Sequence, residues 1–197
     1  MKMKWQSVTF GLMAVALVAA PAAAGNESVT GTVTAKGLRT NAEIVVRLET
    51  PGLNVVPPSK PIEVDQKGML FVPHVLPVVR GTTVRFLNSD PVAHNVFSPE
   101  GKYNLGTWPQ GETKDRKFDT AGVYTQLCRV HTEMESFVVV LDTPYFAITD
   151  KTGAFEIKNV PPGAYTLVVW SAKRKGVKQS LTVEAGKPGR VDLVLTR

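Results

Sequence analysis

Short runs in which apolar and polar residues alternate with a period of two recur along the chain, and they end at Gly, Pro, Asn or Asp. Within Thr82–Leu87, for example, Val84 and Phe86 fall on one face and Thr83 and Arg85 on the other, as in a half-buried strand. With 14 prolines and 16 glycines in the chain, this pattern predicts an all-β protein made of sandwiches or barrels. The other runs are Val29–Thr34, Glu43–Glu49, Ser136–Leu141, Ala154–Ile157, Tyr165–Trp170, Ser180–Val183 and Arg190–Leu195.

The first 24 residues have a different character. Lys2 and Lys4 precede a short apolar run, Val8–Ala20, and the small residues Ala22 to Ala24 follow it. This order is typical of a secretory signal peptide, and the run is too short to span a bilayer. We therefore expect cleavage after Ala24 and a periplasmic location. No later stretch approaches 18 consecutive apolar residues, so we expect no membrane span.

The charge of the chain argues against one class of partner. The net charge is +6, and loss of the two leader lysines leaves 21 basic against 17 acidic residues. These charges are spread out, whereas nucleic-acid binding calls for a clustered basic patch. The run Lys173-Arg174-Lys175-Gly176 is the densest basic segment. We interpret it as a solvated turn, with a docking site for an acidic partner as the alternative.

A single cysteine, Cys128, is unusual for an exported chain, which normally has paired cysteines or none. It begins a C-x2-H-x2-M motif with His131 and Met134, and His94 follows a predicted strand and an Asn-Ser-Asp-Pro turn. One thiolate, two imidazoles and a distant thioether suit copper in both oxidation states. Three ligands within seven residues converge on one ion only if they lie on a tight loop between two strands. The pattern therefore predicts a mononuclear copper site.

Other interpretations of these residues stay open. Zinc binds Cys and His well, although it has little use for a thioether. We interpret His74 as a surface or strand-edge histidine, with an extra copper ligand as the alternative, and Met69 as a packing residue. The chain has no nucleophile elbow and no Gly-rich phosphate loop, and only His74 remains for a second copper centre. We therefore expect that the protein is not an enzyme.

Residues 61–142 resemble the cupredoxin family of small blue copper proteins. The resemblance rests on three segments that are similar to the strand before the first ligand, the first-ligand turn and the approach to the cysteine loop: Gly81–Asn88, Asp90–Val96 and Phe118–Cys128. The short C-x2-H-x2-M spacing is similar to that of amicyanin, since plastocyanin places the methionine farther away. Val130 and Thr132 stand where amicyanin has prolines beside the loop histidine.

The cupredoxin resemblance implies a ligand set and a role. His94, Cys128 and His131 would be the strong copper ligands, and Met134 a weak axial ligand. Asn95 would tie the first-ligand turn to the cysteine loop and place a hydrogen bond near the thiolate. One copper ion would alternate between Cu(I) and Cu(II) in a monomeric carrier of single electrons between redox protein partners. The alternatives are a copper-binding or sequestration protein, and a structural or partner-binding sandwich with a vestigial site.

The remaining residues resemble a carboxypeptidase regulatory-like (transthyretin-like) β-sandwich. The turn Asn159–Gly163 and the strand Tyr165–Trp170 are similar to its second half, whereas Gly31–Val33 and Ala42–Leu48 are similar to its first half. We therefore predict a discontinuous sandwich, in which residues 25–60 and 143–197 flank an inserted cupredoxin domain at 61–142. The alternative is a plain tandem, with residues 28–50 in the central domain. The chain after the leader also resembles bacterial proteins labelled methylamine utilization proteins.

Overall fold

The computed structural model describes residues 27–197, and its regular elements are all β-strands. The predicted all-β class is therefore confirmed, while the predicted leader lies outside the described residues. Within residues 27–197, no helix is long and apolar enough to cross a membrane. The strands are β1 (Glu27–Ala35), β2 (Val45–Glu49), β3 (Ile62–Gln66), β4 (Phe71–Val72), β5 (Val75–Val79), β6 (Thr82–Asn88), β7 (His94–Ser98), β8 (Tyr103–Trp108), β9 (Thr113–Phe118), β10 (Gly122–Leu127), β11 (Glu135–Leu141), β12 (Phe146–Ile148), β13 (Ala154–Val160), β14 (Gly163–Trp170), β15 (Val177–Val183) and β16 (Gly189–Leu195).

The strands at the two ends of the described chain form one sandwich, called here the outer sandwich. Its sheets have the strand orders β13-β1-β16 and β12-β2-β14-β15. Strand β1 is antiparallel to β13 and parallel to β16, and β2 lies between β12 and β14. Gly31 permits the close approach of β1 to β16, because a Cβ atom there would lie 1.7 Å from the Val191 carbonyl oxygen. Alternating apolar residues of both sheets, among them Val33, Leu48 and Leu167, form its core.

Strands β3 to β11 form a second sandwich, called here the inner sandwich. Its sheets have the orders β5-β11-β10-β7-β8 and β4-β3-β6-β9. Val84 and Phe86, the apolar face predicted for Thr82–Leu87, are both fully buried in its core, and Thr83 and Arg85 point outward. Since β3 begins and β11 ends at the same end of this sandwich, beside the turn from β5 to β6, the chain enters and leaves it at one end.

The two sandwiches share a smaller apolar cluster. Val45 of the outer sandwich packs with Val75 and Val139 of the inner one, and the Phe137 and Trp170 rings meet edge to face at 5.4 Å. Glu43 has a positive φ of 62°, so the predicted run Glu43–Glu49 becomes a regular strand only from Val45. This turn directs the Glu43 side chain to His74 at the edge of the shared cluster.

Candidate metal centre

Loops at one end of the inner sandwich bring three of the predicted ligands together. His94 is the first residue of β7, Cys128 follows β10 directly, and His131 lies in the short loop before β11. Strands β7 and β10 are antiparallel neighbours, with Leu127 opposite Phe97, so these loops meet. The possible ligand atoms of His94, Cys128 and His131 all lie within 4.8 Å of one another. In the described part of the chain, no other group of three or more His, Cys, Asp or Glu side chains converges in this way.

The ring of His94 is fully buried and has a defined orientation. Its Nε2 lies 2.8 Å from Oδ2 of Asp90, so Nε2 carries the proton that the carboxylate accepts. In a neutral imidazole Nδ1 then carries the lone pair, and Nδ1 faces Nδ1 of His131 at 3.0 Å. Two protonated nitrogens cannot face each other at this distance. The pair therefore presents at least one unprotonated nitrogen, as a metal site requires.

Asp90 orients His94 and is itself held by a neighbouring loop. Its Oδ1 accepts a hydrogen bond from Gly68 N–H at 2.6 Å, and its Oδ2 accepts one from Met69 N–H at 2.9 Å. The Met69 N–H, together with Gly68 and His94, keeps the pKa of Asp90 below its ordinary value although burial opposes this. Sequence reasoning had placed Asp90 only in a turn. A carboxylate four residues before the first histidine was the signal that could have found it.

Cys128 is a buried free thiol at the centre of this arrangement. Its Sγ accepts a hydrogen bond from Asn95 N–H at 3.4 Å and lies 4.0 Å from Nδ1 of His131. The Asn95 side chain accepts a hydrogen bond from Arg129 N–H at 3.4 Å and donates to Gly106 O at 2.7 Å. Asn95 thus connects the loop of the first histidine, the cysteine loop and β8.

Met134 and His131 lie on the same loop but differ in their exposure to solvent. Met134 is fully buried in the core cluster that contains Cys128, and its backbone N–H donates to the His131 carbonyl at 3.1 Å. His131 is only half-buried, and the adjacent Val130 is exposed. One edge of the cluster therefore reaches the protein surface, while the sulfur-containing side chains lie inside.

The two residues that we did not assign to the metal lie apart from the cluster. Nδ1 of His74 lies at hydrogen-bond distance, 2.9 Å, from Oε2 of Glu43, and its ring contacts that of Phe137 with a centroid distance of 5.5 Å. His74 does not belong to the converging group. Met69 is half-buried, and its contribution to the site is the backbone N–H that binds Asp90.

The donor set fits copper. Thiolate and thioether sulfur are soft ligands that suit Cu(I), and imidazole nitrogen suits Cu(II). The thiol is buried next to a backbone N–H that can stabilise its thiolate form. The buried carboxylate of Asp90 is the kind of partner that metal-binding histidines use for their second nitrogen.

A two-sheet sandwich with a His/Cys/His cluster at one end defines the class of cupredoxin-like copper-binding folds. Residues 59–141 match the family model of copper binding proteins of the plastocyanin/azurin family, and residues 134–196 match that of the carboxypeptidase regulatory-like domain. The chain therefore combines a cupredoxin fold with a carboxypeptidase regulatory-like β-sandwich. Strands β1 and β2 lie outside both matched segments, although they pair with strands of the second one.

Solved structures similar to this chain include several cupredoxins. "Novel Purple Cupredoxin from Nitrosopumilus maritimus" is 26% identical, with 40% of this chain and 98% of that chain covered and a TM-score of 0.37. An oxidized proline-to-alanine variant of amicyanin is 28% identical, with 41% and 82% covered and a TM-score of 0.40. A Cu(I) methionine-to-alanine variant of amicyanin is 27% identical, with the same coverage and TM-score. None of the curated proteins matches this chain.

Proposed function

We propose that this protein is a periplasmic mononuclear copper protein that carries single electrons between redox protein partners. The observation that supports this most is the convergence of two imidazoles and one thiol within 4.8 Å. His94, Cys128 and His131 would hold the metal, with Met134 as a weak axial ligand. The periplasmic location rests on the leader at residues 1–24.

Each residue around the cluster has a distinct task in this proposal. Copper, when bound, supplies reversible one-electron exchange between Cu(I) and Cu(II). Asp90 holds the His94 ring so that Nδ1 points into the site, and the Asn95 N–H places partial positive charge beside the thiolate. Burial of His94, Cys128 and Met134 keeps water away from these three side chains. The half-buried ring of His131 gives the site an edge that a redox partner can approach.

We also propose that the inner sandwich, residues 61–142, is inserted into a discontinuous outer sandwich made of residues 25–60 and 143–197. The support is strand pairing: β1 pairs with β13 and β16, and β2 pairs with β12 and β14. An inserted domain needs its two ends close together. The start of β3, where the inner sandwich begins, and the end of β11, where it ends, lie at the same end of that sandwich and so meet this need.

The proposed function is tested by adding Cu(II) to the metal-free protein, recording a visible spectrum and then measuring a voltammogram. We expect an intense thiolate-to-copper band and a reversible one-electron wave. Cys128→Ser should abolish the band, because a hydroxyl stays protonated where a thiol becomes a thiolate on the metal. His74→Ala is the matched control and should leave the band unchanged, because His74 is bonded to Glu43 instead.

Each other outcome has a definite meaning. Colourless binding of Cu(I) alone would favour the sequestration protein over the electron carrier. Tight binding of zinc with no coloured copper form would make the site a zinc site. Absence of metal binding by the folded protein would refute both copper functions. Loss of the band in His74→Ala would show that the ligand set is wrong.

A further inference from the structure

A basic surface lies on the outer sandwich at the end of the molecule that carries the metal centre. The loop after β1, the turn before β13 and the loop after β14 meet there. Asn41 N–H donates to the Lys151 carbonyl at 3.3 Å, which joins the first loop to the turn. Arg174 Nε donates to the Lys36 carbonyl at 2.9 Å, which joins the first loop to the third. The cationic side chains brought together in this way, called here the basic surface, are those of Lys36, Arg39, Lys151, Lys173, Arg174 and Lys175.

The charge of the basic surface is not neutralised by acidic neighbours. Within residues 27–197, none of its six cations forms a salt bridge within 4.0 Å. Two carboxylates lie nearby, Glu43 beside His74 and Asp150 in its own turn, and neither forms a salt bridge with these cations, so six positive charges face two negative ones. Five of the cations are exposed, and only Arg174 is half-buried. These six cations, which have no salt-bridge partner in the described chain, are therefore open to an anionic partner.

A recess of about 420 Å³ lies between this surface and the inner sandwich. Arg39 and Lys173 line it on the outer side, and His74 and Val75 line it on the inner side. Glu43 also lines the recess and lies beside His74, so the basic wall is the outer one, with Arg39 and Lys173, and this wall can accept protruding carboxylate side chains. A flat anionic membrane would also attract the exposed cations, but it would not enter the recess. The shape and charge therefore favour an acidic polypeptide.

The recess is close to the metal centre. The His74 carbonyl accepts a hydrogen bond at 2.8 Å from the N–H of Phe137 in β11. This strand begins directly after Met134, so Phe137 lies about 10 Å along the chain from the proposed axial ligand. A protein seated on the basic surface would lie beside the end of the molecule that carries His131. Glu133 and Glu135 lie in and directly after the metal loop and are exposed, so the positive surface charge belongs to the outer sandwich and not to the metal loop.

We propose that the basic surface is the docking site for the acidic face of a redox partner protein, which it holds beside the copper end of the molecule. This inference rests on the proposed function, because it names the chemistry of the partner that exchanges electrons with copper. It also gives the outer sandwich a task, namely recognition, while the inner sandwich holds the metal.

The inference is tested by titrating a short oligoglutamate peptide into the isotope-labelled copper protein and following backbone amide shifts. We expect shifts in residues 36–40 and 171–176, and weaker binding when ionic strength rises from about 0.01 M to about 0.15 M. The double variant Lys173→Gln/Lys175→Gln should weaken binding about fivefold, as two lost surface ion pairs predict. The matched control Lys60→Gln/Lys114→Gln removes two exposed charges elsewhere and should bind as the parent protein does.

Three results would overturn the inference: equal weakening in both double variants, no binding of the peptide at low salt, or binding to phosphatidylglycerol vesicles without binding to the peptide. Binding is also measured on the metal-free protein, so the result does not depend on the copper site. A normal copper spectrum with no peptide binding would refute the docking site alone. Peptide binding without a coloured copper form would refute the proposed function and leave an acidic-protein docking site.

Discussion

Asp90→Asn tests the metal site directly and leaves all the proposed ligands in place. The carboxylate accepts three hydrogen bonds, from Gly68 N–H, Met69 N–H and His94 Nε2–H, at 2.6 to 2.9 Å. An amide keeps one accepting oxygen and places an NH₂ group where the other oxygen was. At least one donor then faces another donor, and the remaining bonds lose their charge.

The magnitude follows from these bonds. Hydrogen bonds to a charged group contribute about 1.5–3 kcal/mol and neutral ones about 0.5–1.5 kcal/mol. Losing one bond and weakening the others should therefore lower the free energy of unfolding by about 3 kcal/mol. Because His94 also loses its orienting partner, copper affinity should fall by about 10- to 100-fold. Urea unfolding of the metal-free protein and competitive copper titration measure the two effects.

Asp65→Asn is the control for Asp90→Asn. Asp65 also accepts hydrogen bonds from the turn before His94, from Ser89 N–H at 3.2 Å and Ser89 Oγ–H at 2.8 Å, but these are exposed and do not reach a ligand. We expect it to cost less than about 1 kcal/mol and to leave copper affinity unchanged. If Asp90→Asn binds copper as tightly as the parent protein, the orienting role of Asp90 is wrong.

Three further predictions concern the axial ligand, a buried phenol and the outer sandwich. Met134→Leu should keep copper but change the potential, because an axial thioether bond is weak; an unchanged voltammogram would contradict the assignment. Burial raises the pKa of Tyr103 from 10.0 to about 12. The stability that comes from keeping this phenol neutral is therefore fully present below pH 10 and is lost as the pH rises through about 12. The free energy of unfolding in urea should show this loss for the parent protein and not for Tyr103→Phe. Gly31→Ala should destabilise the protein by at least about 3 kcal/mol, since its Cβ would overlap the Val191 carbonyl, whereas Gly163→Ala meets only ordinary contacts and should change unfolding little.

The sequence predicted strands such as β6, in which buried and outward-facing residues alternate, and missed others such as β9. Val84 and Phe86 mark β6 because burial imposes alternation on them. Strand β9, Thr113–Phe118, carries Lys114, Asp115, Arg116 and Lys117, and its only fully buried residue is Phe118. Backbone pairing with β6 holds it at the edge of the sheet. Because most of its side chains are exposed there, its sequence does not show the alternation of apolar and polar residues that identifies other strands.

The convergence of the metal cluster was predictable only in part. The chemistry of Cys128, His131 and His94 can be read from residue type and spacing. The role of Asp90 can be read only in part: its spacing to His94 is a signal, but its fixed position depends on how the loop after β3 folds against the turn before β7. The basic surface shows the same limit. Lys173 to Lys175 are visible as a run, but Lys36, Arg39 and Lys151 join them only through contacts between distant loops.

The pairing of β1 with β16 has a consequence for the order in which the chain folds. Thr32 and Asp192 are bonded although they lie 160 residues apart in the sequence. All strand pairs of the inner sandwich lie between Ile62 and Leu141, so its strand pairing does not depend on residues synthesised later. Strands β1 and β2 must wait for β12 to β16, and such non-local pairing slows folding. A chain that ended at Leu141 would leave β1 and β2 as unpaired, aggregation-prone strands beside a folded inner half.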